Sequence, residues 1–268
     1  MHIFIVSSIR VPAAFNGLYG LRPSSHRIPY RGAVNSLEGQ DSIPSVLGPM
    51  SPSLLGIKVF MKAVIDAKPW LKDPMAMRKS WDQLGYELFE HGNGKRLVFG
   101  ILWDDAHVAP HPPVLRALEM TRDALIAAGH RGSSRAPTSP DRTYTFINTV
   151  VDWKPHRHID LCTVTRHIWR SGSREDCLNV ARLTNEPIID TMSPDVIDPI
   201  NPEHPPFLPP ASISAYELWQ LHKEKRELRE EYLTHWEATA TVTGTNRPVD
   251  AIIAPVAPFA APPHGKNL

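Results

Sequence analysis

Apolar side chains recur along this chain in two rhythms. Leu54, Ile57, Met61 and Val64 fall at helical spacing, with Ser51 placed to cap a helix and Pro52 to open it, so a helix is predicted there. Residues 97–103 form instead a continuous apolar run between Lys95-Arg96 and Asp104-Asp105, the pattern of a strand buried on both faces. His111-Pro112-Pro113 then opens a second helix whose face carries Val114, Leu118, Leu125 and Ala128, and Gly129 supplies its stop. Val150-Val151 leads into Asp152-Trp153 as the next strand. Ser214 and Glu217 form a capping box for a long helix with an apolar stripe of Leu218, Leu221, Leu228, Tyr232 and Trp236. A further buried strand is predicted at 249–255, and the stretch 77–90 reads as a short helix. Strands alternating with helices predict an α/β fold.

Between these elements lie segments without periodicity. The first fifty residues are rich in Gly, Pro, Ser and Arg and read as turns and short pieces. Residues 131–149 are polar and turn-rich, far longer than the 2 to 6 residues that usually join helix to strand in α/β units, and are expected to be a disordered insertion. Residues 186–211 hold eight prolines and read as an extended Pro-rich loop. A Pro-x-x-Pro ligand there would lack a basic anchor, which argues against a Pro-rich interaction protein. The whole chain has 27 prolines, about twice the usual share of roughly 5%.

Composition narrows the choices further. With 42% hydrophobic and 21% charged residues the chain is ordinary for a globular protein, and 268 residues can bury a sizeable core. A formal net charge of +1 offers no field for nucleic acid or an anionic membrane. No apolar stretch approaches the ~20 residues of a membrane span, and the start lacks the basic region of a signal peptide, so a cytoplasmic location is expected. Cys162 and Cys177 read as two reduced thiols. There is no internal repeat.

Candidate chemistry is sparse on pattern alone. There is no zinc helix motif, phosphate loop, dinucleotide fingerprint or nucleophile elbow. His156, His158, Asp160 and Cys162 alternate and would share one face of a strand, an arrangement able to hold a metal. An exposed polar edge is the simpler reading. Asp104 and Asp105 read as a polar strand end, because adjacent residues on a strand point to opposite faces. Ser8, taken alone, would pass for a turn residue.

The string around Ser8 changes that. Ser8-Ile9-Arg10-Val11-Pro12-Ala13 is similar to the end of the signature of the amidase signature family. The agreement continues through residues 17–24 (GLYGLRPS), 29–33 (PYRGA) and 45–50 (SVLGPM), and then through Trp103-Asp104-Asp105, Pro110-His111-Pro112-Pro113, Ala127-Ala128-Gly129-His130 and residues 253–258 (IAPVAP). These blocks resemble the acetamidase branch and cover most of the chain outside 131–149. The resemblance implies a mixed β-sheet core flanked by α-helices, with 1–268 a partial amidase domain, incomplete at the N-terminus and at the C-terminus.

It also implies hydrolysis of a small linear amide to carboxylate and ammonia through a serine acyl-enzyme. Ser8 falls on the nucleophile, the backbone around Ile5, Val6, Ser7 and Ser8 on the oxyanion and substrate-binding loop, and Arg10 on an arginine that braces that loop. The implied partner is a small-molecule amide, with no cofactor and no metal, and a homo-oligomer stays open. Two departures stand out. The family's buried lysine base and cis-peptide relay serine lie well upstream of the nucleophile, yet Ser8 has seven residues before it, and Val6-Ser7 replace the two glycines expected in the oxyanion loop. The alternative is therefore a non-catalytic fragment or pseudoenzyme of the same family. The chain as written is expected to be inactive or very weakly active, and marginally stable.

Overall fold

The computed structural model describes residues 8–95, 97–130, 150–187 and 211–263. The predicted insertion at 131–149 and nearly all of the Pro-rich loop lie outside them. The predicted strand at 97–103 forms β3 (Phe99–Ile101), central in a three-stranded sheet between β4 (Val150–Asp152) and β5 (Ala251–Ile253). Both neighbours are parallel to it, in the registers Phe99↔Val150 and Phe99↔Ala251. A separate antiparallel pair joins β1 (Tyr19–Gly20) to β2 (Met50–Ser51).

The two faces of the parallel sheet follow the period of two along each strand. On one face Ile101 and Val150 are buried against Leu118 and Leu125 of α4 (Pro112–Ala127). On the other, Val98, Trp153 and Val249 pack with Val151 and Ile252 and with Tyr232 and Trp236, which come from the end of α7 (Ala215–Ala238). Gly100 lies on that second face, and a Cβ there would come within 3.1 Å of the Trp153 ring. Helix, sheet and helix thus make three layers, the α/β arrangement that the alternation of patterns predicts. Burying a side chain such as Ile101, 1% exposed, contributes about 1.5–3 kcal/mol.

Contacts divide the chain into two compact units, the first made of Met1–Pro29, Leu47–His158 and Glu230–Leu268, the second of Tyr30–Val46 and Ile159–Arg229. The sheet belongs to the first. So does α2 (Leu54–Asp66), whose buried stripe is Ile57, Met61 and Ile65, packed with Ile28. Its cap is Ser53, which accepts from the Gly56 N–H at 3.1 Å, and not the expected Ser51. Ser51 is held in β2 by its pairing with Tyr19, so the helix starts two residues later than the capping signal suggested. The short helix expected at 77–90 shrinks to one turn, α3 (Gln83–Tyr86), capped by Asp82, because Leu88 adopts a left-handed conformation and ends it.

The second unit is helical. Its core joins Val164 and Ile168 of α5 (His158–Arg170) to Leu228 of α7, with Leu218, Leu221 and Ile43 around them. The capping box of α7 is present: the Ser214 N–H donates to Glu217 Oε2 at 2.8 Å and the Glu217 N–H donates back to Ser214 Oγ at 3.2 Å. α6 (Ser173–Thr184) adds the Leu37 N–H, which donates to Asp176 at 2.7 Å.

Candidate active site

Ser8 is exposed in the turn that enters α1 (Arg10–Phe15). This helix is only six residues long and tolerates Pro12 because a proline in the first turn removes an N–H with no intrahelical partner. It ends in a Schellman motif. Gly17 takes φ +65°, the Leu18 N–H reaches back to Ala13 O at 2.8 Å and the Gly17 N–H to Ala14 O at 3.4 Å. The chain is thereby reversed into β1, directly beside the helix it has just left.

That reversal explains the glycines in the blocks that follow Ser8. A Cβ on Gly20 would lie 2.8 Å from Ala13 Cβ and 3.0 Å from Ile9 O, so glycine lets the strand touch α1. At Gly48 a Cβ would meet Leu21 O at 2.1 Å. The next residue, Pro49, accepts from the Leu21 N–H at 3.1 Å. Residues 17–24 and 45–50, distant in sequence, are therefore two sides of the cradle that carries α1.

The carboxyl ends of β3 and β5 make the second part of the site. The Leu102 N–H donates to Ile253 O at 2.9 Å, and Trp103 Nε1 to Asp152 Oδ1 at 2.8 Å. Asp104 and Asp105 turn inward on their own loop: Asp104 Oδ1 accepts from the Ala106 N–H at 2.7 Å and Asp105 Oδ1 from the N–H groups of His107 and Val108 at 2.9 and 2.7 Å. They are the polar strand end expected, shaping the path to α4. The His111 N–H then donates to Pro258 O at 2.7 Å, tying the loops after β3 and β5 together. Phe259, next in the chain, places its ring 6.3 Å from His111 and 6.2 Å from Phe15 at the end of α1.

Of the site residues read from the sequence, Ile5, Val6 and Ser7 lie outside the described residues. Ser8 and Arg10 are exposed, and neither side chain hydrogen-bonds to another described residue. Lys225 is the lysine, among those described, that is pushed below its ordinary pKa range, by burial and by the neighbouring Arg229 and Arg226. It donates to Ser42 O at 2.6 Å within the second unit. The ligand reading of His156, His158, Asp160 and Cys162 fails on geometry, since α5 begins at His158 and the strand-like alternation does not exist.

What the residues around 156–158 build is an aromatic cluster. The His156 and His235 rings stack at 4.7 Å, and His158 lies over Tyr232 at 5.9 Å. His235 Nε2 is 3.1 Å from Lys154 O, and Arg157 pairs with Glu231 at 2.9 Å. Burial pulls His158 below the usual imidazole range, with the Asp105 carboxylate opposing and His156 and His235 adding to the fall. Sequence reasoning also passed over Phe15, His111 and Phe259 as a group. No sequence pattern joins them, because they come from α1 and from the loops that follow β3 and β5.

The parallel sheet, covered by helices on both faces, makes this an α/β chain. The chain belongs to the amidase family: the family model described as Amidase matches residues 5–268. It is similar to an acetamidase of Emericella nidulans, 35% identical over 97% of this chain and 42% of that protein, and to an acetamidase of Aspergillus oryzae, 33% identical over 98% and 43%. An Amidase 1 of Gibberella moniliformis is 33% identical over 97% and 43%. A solved fatty acid amide hydrolase shares the fold, with a TM-score of 0.73 at 24% identity over 96% of this chain and 39% of that one. The chain thus spans less than half the length of the relatives it matches. Among the described residues no helix is long and apolar enough to cross a membrane.

Proposed function

We propose that this chain carries the nucleophile-bearing part of an amide hydrolase that acts on small carboxamides in the cytoplasm. Ser8 Oγ adds to the carboxamide carbon as its proton is removed. The tetrahedral intermediate collapses, the C–N bond breaks, and ammonia leaves with that proton. Water then adds to the Ser8 ester and releases the carboxylate. Backbone N–H groups of the stretch Ile5 to Ser8 receive the oxyanion, and Arg10 braces their loop. The observation that carries the reading is the agreement with two acetamidases across 97–98% of this chain, with Ser8 exposed at the mouth of α1.

One observation favours the second reading, a non-catalytic member of the family. No hydrogen bond joins Ser8 to a lysine, histidine or second serine among the described residues, and proton removal needs a base within hydrogen-bond reach. Ammonia release from acetamide and benzamide decides between them. Release that Ser8→Ala abolishes supports hydrolysis through Ser8. No release, with no covalent labelling of Ser8 by a fluorophosphonate, supports the non-catalytic reading.

A further inference from the structure

Between β4 and α5 the chain runs past the end of α7 as a short strap, Lys154 to His158, all within the first unit. Four contacts hold it there. The His156 ring stacks on His235 at 4.7 Å and 8°, His235 Nε2 donates to Lys154 O at 3.1 Å, Arg157 pairs with Glu231 at 2.9 Å, and the His158 ring lies over Tyr232. Two features show that the strap is held rather than relaxed. Arg157 has φ +52°, a left-handed conformation that a residue with a β-carbon keeps only where its surroundings impose it. His156 Nε2 is shut off from solvent with no hydrogen-bond partner among the described residues, and Glu231 Oε2, 3.9 Å away, is engaged by Arg157.

The charges around the three imidazoles compensate them poorly. Asp105, from the loop after β3, acts on His158, but its Oδ1 already accepts from the His107 and Val108 N–H groups. Glu231 of α7 is taken by Arg157, Lys154 adds a further cation on the strap, and burial keeps the Tyr232 phenol above its ordinary range and so neutral. Neutral imidazoles stack as ordinary aromatic rings. A proton on His156 draws Glu231 away from Arg157, and a second proton on His235 sets two like charges face to face in the stack. Burial also holds His158 below the ordinary imidazole range while the strap is closed, so opening takes up a proton there as pH falls.

We propose that residues 154–158 are a proton-operated strap, closed on α7 while His156 and His235 are neutral and released when both carry a proton. Release lets Arg157 leave its left-handed conformation. The device does not depend on Ser8.

Trypsin reads the strap directly, because the bond after Arg157 is open to it while Lys154 is protected by the following Pro155. Cleavage after Arg157 is followed by mass spectrometry and divided, at each pH, by cleavage of a free peptide of residues 152–162, which removes the pH dependence of the protease. This ratio is expected to rise at least tenfold from pH 7.5 to 5.5. The corresponding ratio at Arg122, in α4, is expected to rise less than twofold, which separates local release from global unfolding. His156→Phe combined with His235→Phe keeps two stacked rings without the charges and is expected to hold the rise at Arg157 below twofold. His222→Phe, on the part of α7 in the second unit, is expected to leave it unchanged. If the double variant fails to melt cooperatively, His156→Phe alone is expected to reduce the rise at least threefold. A ratio independent of pH in the parent protein, one that rises equally at Arg122, or one that survives the ring substitutions in folded protein overturns the strap.

Discussion

Gly48 shows how much a single position decides near Ser8. A methyl group there would meet a backbone oxygen, Leu21 O, at 2.1 Å, and no side chain can move aside to make room. Gly48→Ala is expected to cost about 1–3 kcal/mol, the usual range for overpacking, and to detach the Leu21 N–H from Pro49 O. Hydrogen exchange at Leu21 would report it, and unchanged protection would contradict it. His158 carries a pH dependence of defined sign. Burial lowers its pKa in the folded state, so below about 6.5, the ordinary imidazole value, the unfolded chain binds more protons than the folded one. Stability should be flat in this respect above that pH and decline as pH falls through and below it. Melting midpoints between pH 7.5 and 5 would show a smaller decline in His158→Gln.

Among the elements, α7 depends on both its start and its seam. Ser214→Ala removes an N-cap hydroxyl and is expected to cost about 1 kcal/mol. Leu228→Ala opens the Val164–Ile168 cluster and is expected to cost about 2–5 kcal/mol. Denaturant melts of both variants check the order. The same helix shows what the sequence made legible: its cap and its five-residue stripe each appear where the pattern placed them, as do the buried strands and α4. Legibility failed where tertiary pairing overrode local signals, as when β2 took Ser51 from its helix. It failed too where one rhythm masked another. Along α5, Leu161, Val164 and Ile168 keep helical spacing, but alternating polar residues at 156–162 imitate a strand. Ser8 was legible only by resemblance, since no local pattern distinguishes it from a turn serine.

For the whole molecule, the balance between binding and proton transfer sets the outcome. Removing one member of a serine hydrolase triad can cost about a millionfold in turnover in an unrelated fold. These 268 residues, expressed alone, are therefore expected to release ammonia from acetamide at least a thousandfold more slowly than a fusion that adds a family lysine, relay serine and glycine loop. Equal rates, both abolished by Ser8→Ala, would mean that a residue of this chain serves as base. Stability is expected to be modest as well. Leu54, Leu55, Val59 and Phe60 of α2 are exposed together, a surface that favours association, and light scattering during thermal unfolding should rise before the melt is complete.

The central place of β3 has a temporal consequence. Val98 and Asp250 exchange hydrogen bonds at 2.7 and 2.8 Å across a separation of 152 residues. On the ribosome, where synthesis runs at about 5–20 residues per second, β3 must wait with one side open for on the order of ten seconds until β5 emerges. During that interval its free edge is a template for any other extended segment, including the same strand of a neighbouring nascent chain. The yield of native protein should accordingly depend on how fast translation proceeds between β4 and β5.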